Sequence, residues 1–114
     1  MQRDEATLVD LLQAARLARE FTAGLDKDGF LDDPQLQSSV LYQLVVLGEG
    51  VRRLSEAFRQ THGEVPWRQM AGMRDHVVHG YDAVDLDEVW NTLRRDIPEL
   101  IAWLEARNAK QDQG

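Results

Sequence analysis

The feature that most constrains the fold is an apolar residue at every third or fourth position between residues 36 and 58. The positions are Leu36, Val40, Leu44, Leu47, Val51, Leu54 and Phe58. This spacing places one apolar stripe along a helix of 3.6 residues per turn, and the two-residue period of a strand does not produce it. Such a helix buries its stripe against other helices, so the chain is expected to be all-α.

Helical spacing recurs in three other parts of the chain. Apolar stripes predict a first helix over residues 5–23 and a last helix over 85–108, with a short helix at about 66–79 between them. With the short connections between these stretches, the pattern predicts a small antiparallel bundle of four main helices. One domain is expected over residues 1–114, ordered from about 5 to 108.

Capping and helix-breaking residues indicate where these helices begin and end. Asp33 and Pro34 suit the N-cap and first position of the second helix, and Asp85 suits the N-cap of the last. Gly80 is a natural end for the third helix. Pro98 removes a backbone donor inside the last helix, so a kink is expected there.

The segment GLDKDGFLDD, residues 24–33, resembles a calcium-binding loop in composition. In the EF-hand spacing, acidic residues at positions 1, 3 and 5 are followed by glycine at position 6. Gly29 directly follows Asp28, but position 1 of that register is Gly24 and not an acidic residue, so the register fails. The segment is therefore predicted to be a solvated turn.

Two glycines, Gly48 and Gly50, lie inside the second predicted helix. Each costs about 1 kcal/mol relative to alanine in a helix interior. Close packing of a neighbouring helix is the favoured interpretation, ahead of a direct functional role.

Composition narrows the class of protein further. The 114-residue chain has no cysteine, which excludes disulfides and thiolate zinc sites. Its apolar runs are too short to span a membrane, and the charged N-terminus does not resemble a signal peptide. The expected location is the cytoplasm.

The net charge of −7 argues against a general nucleic-acid binder. Residues 49–81 are the exception, with five arginines against four acidic residues, whereas 1–48 and 82–114 each carry four basic and eight acidic residues. Chance explains this distribution as well as function does. A surplus of this size is too small for non-specific RNA binding but sufficient for one phosphate.

The residues able to carry chemistry are concentrated in GMRDHVVHGYD, residues 72–82. His76 and His79 are three positions apart and could share a helix face. Two histidines and one adjacent acid do not form a recognisable ligand set, because a catalytic zinc usually has three protein ligands. The sequence therefore predicts neither a metal nor a cofactor.

Acid–base chemistry is the alternative for the same stretch. On an ideal helix Arg74 and His79 are separated by about 7.5 Å along the axis and by roughly 140° around it. Their long side chains can still converge on one group beyond the helix end. An arginine matches phosphate oxygens and a histidine transfers protons near neutral pH, so the pair suits metal-free cleavage of RNA. The spacing alone is a weak signal, since many helices contain it.

Asp75 and Tyr81 are supporting candidates. Asp75 could orient a histidine or hold an arginine in place, and an ordinary solvated helix residue is an equally good interpretation. Tyr81 lies seven residues after Arg74, beyond Gly80. A tyrosine at that position is more often a packing residue whose hydroxyl contacts water.

The order of residues in VPWRQMAGMRDHVVHGYDAVDLDEVW resembles the signature region of HepT-like proteins in the HEPN superfamily. The specific part is Pro-Trp, then Gly-Met-Arg-Asp, then His-Gly-Tyr, then the acidic start of the last helix. The resemblance continues upstream in FLDDPQLQSSVLYQLVVLGEGVRRLSE and downstream in RRDIPEL. It covers most of the chain, from about residue 5 to 105.

The resemblance implies a helical bundle that forms a homodimer, with the two motifs facing each other near the interface. It implies a metal-independent endoribonuclease, the toxin of a type VII-like toxin–antitoxin pair. The catalytic arginine and histidine correspond to Arg74 and His79, and the polar residue after the arginine corresponds to Asp75. The motif tyrosine corresponds to Tyr81, which an MNT-type minimal nucleotidyltransferase partner would AMPylate to silence the toxin.

The sequence therefore leaves two hypotheses open, which assign the protein to different functional classes. The first is a ribonuclease toxin whose substrate is a specific RNA, with tRNA and mRNA as candidates. The second is a non-catalytic helical module that binds a nucleotidyltransferase partner or a nucleotide. The intact Arg-x4-His-x-Tyr set favours the first, because a scaffold does not need it. If two copies share one cleft, their Arg74 and His79 residues are expected to concentrate positive charge there.

Overall fold

All of the described elements are helical, which confirms the predicted all-α class. The computed structural model describes the backbone of residues 2–79 and 84–113 and the side chains of residues 3–75 and 84–110. The helices are α1 (Gln2–Phe21), α2 (Lys27–Leu31), α3 (Pro34–Arg53), α4 (Glu56–Thr61), α5 (Trp67–His79), α6 (Leu86–Asn91), a π-helical segment (Thr92–Asp96) and α7 (Ile97–Gln113). Among these, no helix has the length and apolar character needed to cross a membrane.

Helix α3 is central to the packing, because it contacts both α1 and α5, while α1 also packs against α7. The stripe predicted along α3 forms the core of the molecule. Its middle positions are buried, at Val40, Leu44, Leu47, Val51 and Leu54. Leu36 and Phe58, at the two ends of the stripe, are half-buried against the same core.

The two glycines of α3 mark close approaches to two different helices, as their favoured interpretation predicted. A Cβ at Gly48 would lie less than 3.0 Å from the Cβ of Arg74 in α5. A Cβ at Gly50 would meet the Leu11 side chain of α1 equally closely. The missing side chains allow α3 to pack tightly between these two neighbours.

The second predicted helix was expected to run on through Phe58, but it ends at Arg53. Leu54 adopts an extended conformation, with φ −66° and ψ 142°, and Ser55 becomes the N-cap of the separate helix α4. Asp4 of α1 accepts hydrogen bonds from the Ser55 backbone N (2.9 Å) and hydroxyl (2.7 Å). The apolar stripe continues at the same spacing across this break, so the spacing alone does not predict that the helix ends at Arg53.

The prediction of a solvated turn at residues 24–33 was wrong. The segment contains α2, whose N-cap Asp26 accepts a hydrogen bond from the Gly29 backbone N. Phe30 is fully buried and packs against the ring of Trp90 at a centroid distance of 5.5 Å. The acidic residues thus surround one fully buried ring, and the Asp26 cap begins the short helix that carries it.

The predicted last helix begins as expected, with Asp85 accepting from the backbone N of Asp87 and Glu88. A kink was expected at Pro98. The structure instead has a π-helical segment, Thr92–Asp96, in the turn that precedes this proline. A π-helical turn changes the carbonyl pairing where the proline ring would otherwise clash. Helix α7 then continues to Gln113, beyond its predicted end near residue 108.

Candidate functional site

Helix α5 carries the predicted motif on one continuous helical backbone. It begins at Trp67 and ends at His79, as the sequence predicted for this segment. Positions 74 and 79 therefore have the axial separation of about 7.5 Å expected for an α-helix. The side chain of His79, and all of Tyr81, lie outside the described residues.

The guanidinium of Arg74 is held by two carboxylates. Its Nε donates to Glu49 Oε1 at 2.6 Å, and its Nη1 donates to Asp75 Oδ1 at 3.2 Å. About a quarter of the side chain, 26%, is exposed. No described residue accepts a hydrogen bond from its Nη2, which carries two N–H donors.

Asp75 connects Arg74 to a second arginine. Its Oδ2 accepts from Arg52 on α3, while its Oδ1 accepts from Arg74. Glu49, Arg74, Asp75 and Arg52 thus form an alternating chain of charges between α3 and α5. Holding an arginine in place, one of the alternatives raised for Asp75, is therefore the geometry observed.

The pKa shifts within this chain of charges follow its contacts. The hydrogen bond to Glu49, then that to Asp75, raises the pKa of Arg74 above its already high ordinary value. The hydrogen bond from Arg74, aided by the charge of Arg52, lowers the pKa of Asp75. Both groups stay ionised at neutral pH, so neither is suited to transfer a proton there.

Glu49 and Arg52 are site residues that the sequence analysis missed. They lie 25 and 23 positions before their partners Arg74 and Asp75. The one available signal is the position of Glu49 between the two glycines, since Gly48 lies at a close approach of α5 to α3. A charged residue beside such a contact is well placed to reach across it.

The charges of this cluster cancel within one chain. Two arginines, Arg52 and Arg74, are balanced by Glu49 and Asp75. The sequence led us to expect that two copies sharing a cleft would concentrate positive charge there. Because the charges within each copy cancel, this would require both His79 side chains to be protonated. Because these four charges sum to zero, directed donors are what the cluster could offer an anion.

In the part of the chain whose side chains the structure describes, no metal-binding arrangement accompanies these residues. Within residues 3–75 and 84–110, no three or more His, Cys, Asp or Glu side chains are grouped so as to hold a metal ion. His62 instead packs between the rings of Phe58 and Trp103.

Comparison with known proteins adds an independent line of support. The family described as "Ribonuclease HepT-like" matches residues 11–107. A Thermococcus cleftensis protein named "Probable ribonuclease HepT" is 39% identical over 93 residues, which is 82% of this chain and 84% of that protein. A Caldanaerobacter subterraneus protein named as a "Putative RNase" is 35% identical over 100 residues, covering 88% and 89% of the two chains. No solved structure shows a significant match.

Proposed function

The chain belongs to the HepT-like ribonuclease family, and from this premise we propose that it is a metal-independent endoribonuclease. One observation carries the proposal for the site. Arg74 is fixed by Glu49 and Asp75, yet its Nη2 donors are uncommitted among the described residues, on the same helix as His79. Arg74 thus offers a preformed donor for a phosphate, and the same helix carries a residue type able to transfer a proton.

The proposed reaction is a transesterification within the RNA strand. The ribose 2′-oxygen attacks the neighbouring phosphorus, forming the P–O2′ bond as the P–O5′ bond breaks. A base removes the 2′-hydroxyl proton, and an acid protonates the departing 5′-oxygen. The products carry a 2′,3′-cyclic phosphate and a 5′-hydroxyl, with no oxidant or metal required.

His79 is proposed to exchange one of these protons, and Arg74 to stabilise the negative charge that develops on the phosphoryl oxygens. Asp75 and Glu49 act through Arg74 as positioning residues. They hold the guanidinium in one orientation, so less conformational freedom is lost when the phosphate binds.

The family resemblance supplies the biological setting of the proposal. The chain is proposed to act as a homodimeric toxin, with the two motifs in one cleft, against a specific RNA such as a tRNA or an mRNA. Its antitoxin would be an MNT-type nucleotidyltransferase that AMPylates Tyr81. Each AMP group adds negative charge and bulk, and both oppose binding of an RNA phosphate.

The test is RNase activity of the purified chain in EDTA, on total RNA that includes tRNA, beside the His79→Ala variant. Intact mass spectrometry establishes that Tyr81 is unmodified in both preparations. Cleavage by the wild type to 2′,3′-cyclic phosphate ends, absent in the variant, is the expected result. Equal cleavage by both proteins would remove His79 from the mechanism.

Three other outcomes contradict different parts of the proposal. Activity that EDTA abolishes would replace the metal-free mechanism with a metal-dependent one. No cleavage by unmodified, dimeric protein would favour the non-catalytic binding module. Full specific activity in a solution diluted until only monomer remains would contradict the shared cleft alone.

A further inference from the structure

A groove adjoins the Arg74 cluster on the side formed by the end of α3, helix α4 and the first turns of α5. Its volume is about 620 Å³, and its charged lining residues are Arg52, Arg59, Arg68, Glu56 and Asp75. Asp75 belongs to the groove and also holds Arg74. The groove is therefore continuous with the proposed active site.

The positive charge of this groove comes from two arginines that have no carboxylate partner among the described residues. Arg52 is paired with Asp75, and Glu56 accepts a hydrogen bond from Gln60. Within the described part of the chain, neither Arg59 nor Arg68 has an acidic group within ion-pair distance. The charged residues that line the groove sum to +1, whereas the four residues of the Arg74 cluster sum to zero.

Arg59 is also left with an unmet hydrogen-bonding need. It is half-buried, and its Nε is shielded from solvent with no acceptor among the residues that the structure describes. Removing a charged donor from water without a partner is unfavourable. An anion beside the guanidinium would compensate part of that cost.

The geometry of α5 directs the groove towards His79. At 100° per residue, positions 68, 72, 75 and 79 fall within about 60° of one another around the helix axis. Arg68 and Asp75 line the groove, and position 79 continues their line at the helix end, about 16 Å along the axis from position 68. A strand lying in the groove would run towards the proposed site of cleavage.

We propose that Arg59 and Arg68 bind backbone phosphates of the RNA substrate beside the one that is cleaved. This inference rests on the proposed ribonuclease function and assigns the part of it that holds the strand. Arginine contacts to phosphates position an RNA without reading its bases. The overall negative charge of the chain then confines RNA binding to this groove, which explains how an acidic protein binds RNA at all.

The experiment measures binding of a fluorescein-labelled single-stranded RNA of mixed sequence by fluorescence anisotropy over a series of salt concentrations. All proteins carry His79→Ala so that the RNA stays intact. The variants Arg59→Gln and Arg68→Gln are tested singly and together. The control is Arg19→Gln, which removes an exposed arginine near the C-terminal end of α1. Light scattering and thermal melting record the oligomeric state and folding of each protein.

Each groove substitution is expected to weaken RNA binding about tenfold and to reduce the slope of log affinity against log salt by about 0.7. The Arg19→Gln control is expected to bind as its parent does. Arg68→Lys should retain most of the affinity, because it keeps the charge and loses only the planar fork. Arg68 is exposed, so its single variants report on the groove even if the double variant does not fold.

Unchanged affinity and salt slope in Arg68→Gln and in the folded double variant would overturn the proposal. So would a loss of affinity that accompanies dissociation of the dimer, because the arginines would then bind a second copy of the chain. Failure of the nuclease itself is distinguishable. If the unmutated chain cleaves no RNA, the proposed reaction is contradicted. If the groove variants nevertheless bind RNA more weakly than their parent, the assignment of the groove is still supported.

Discussion

Arg74 illustrates how much of this protein depends on the shape of one side chain. Its guanidinium donates through two different nitrogens to Glu49 and Asp75, and its third nitrogen has no acceptor among the described residues. A lysine has the same charge but a single nitrogen on a flexible stem, so it cannot occupy this position in the same way. The role proposed for Arg74 thus rests on geometry as well as charge.

Arg74→Lys is expected to reduce RNA cleavage by about 100-fold, the loss typical of removing one donor that stabilises a developing oxyanion. The fold should be retained, because Gly48 contacts the Cβ that both residues share. Initial cleavage rates and circular dichroism of the variant measure the two effects.

The matched control is Arg53→Lys on α3, where Arg53 forms an exposed ion pair with Asp10 at 3.5 Å. That variant is expected to cleave RNA at the wild-type rate. Wild-type activity in Arg74→Lys would show that Arg74 acts only as a positive charge.

At the scale of the elements, the close approach of α3 and α5 decides whether the charge cluster can form. Gly48 faces the Arg74 Cβ and the Met70 carbonyl oxygen, and neither can rotate away as the end of a flexible side chain could. Gly72 in α5 offers the contrast, because a Cβ there would meet no atom within 4 Å. The same substitution therefore has opposite consequences at the two positions.

Gly48→Ala is expected to lower the free energy of unfolding by about 2 kcal/mol, because the added methyl group overpacks the contact between α3 and α5. Gly72→Ala should raise it by about 0.5–1 kcal/mol, because alanine is the better helix former and space is available. Urea unfolding of the three proteins measures both changes. Equal stability of Gly48→Ala and the wild type would show that the helices can separate at no cost.

At the scale of the whole molecule, Asp4 connects parts of the chain that are 51 residues apart. It is buried, and it accepts two hydrogen bonds from Ser55 at the start of α4. The backbone hydrogen bond from Ser55, followed by that from its hydroxyl, lowers the pKa of the Asp4 carboxyl. The folded protein therefore binds the proton of this group less readily than the unfolded chain does.

The sign of the resulting pH dependence follows from this lowered pKa. The stabilisation from ionised Asp4 is fully present above the unfolded value of about 3.9 and is lost as the pH falls through the lower folded value. Asp4→Asn is expected to cost about 1–2 kcal/mol at pH 7. The difference between the two proteins should shrink below about pH 4.

Urea unfolding of Asp4→Asn and wild type across this pH range tests the expectation. Asp10→Asn is the control on the same helix, since Asp10 is exposed and makes only a long ion pair with Arg53. Its effect is expected to stay near zero at every pH, because exposed ion pairs contribute little. A difference for Asp4→Asn that does not depend on pH would show that its charge is not what stabilises α4.

The sequence by itself determined the helical class, the positions of the long helices and the candidate motif. Each of these depends on spacing within one segment, and a helical period is a local property that neighbouring residues reveal. The starts of α3 and of α6 were predictable for the same reason, because Asp33 and Asp85 cap backbone groups a few residues away. The order of residues in the motif region also sufficed to indicate the family.

Only the tertiary structure decided the break at Ser55, the burial of Phe30 and the partners of Arg74. Asp4 meets Ser55, Trp90 covers Phe30, and Glu49 reaches Arg74, in each case from a distant part of the chain. Such contacts depend on where one helix packs against another, and the period of a single helix carries no information about that. The physical reason is that the sequence pattern identifies the face that each helix buries, whereas the partners of its charged residues are set when those faces meet.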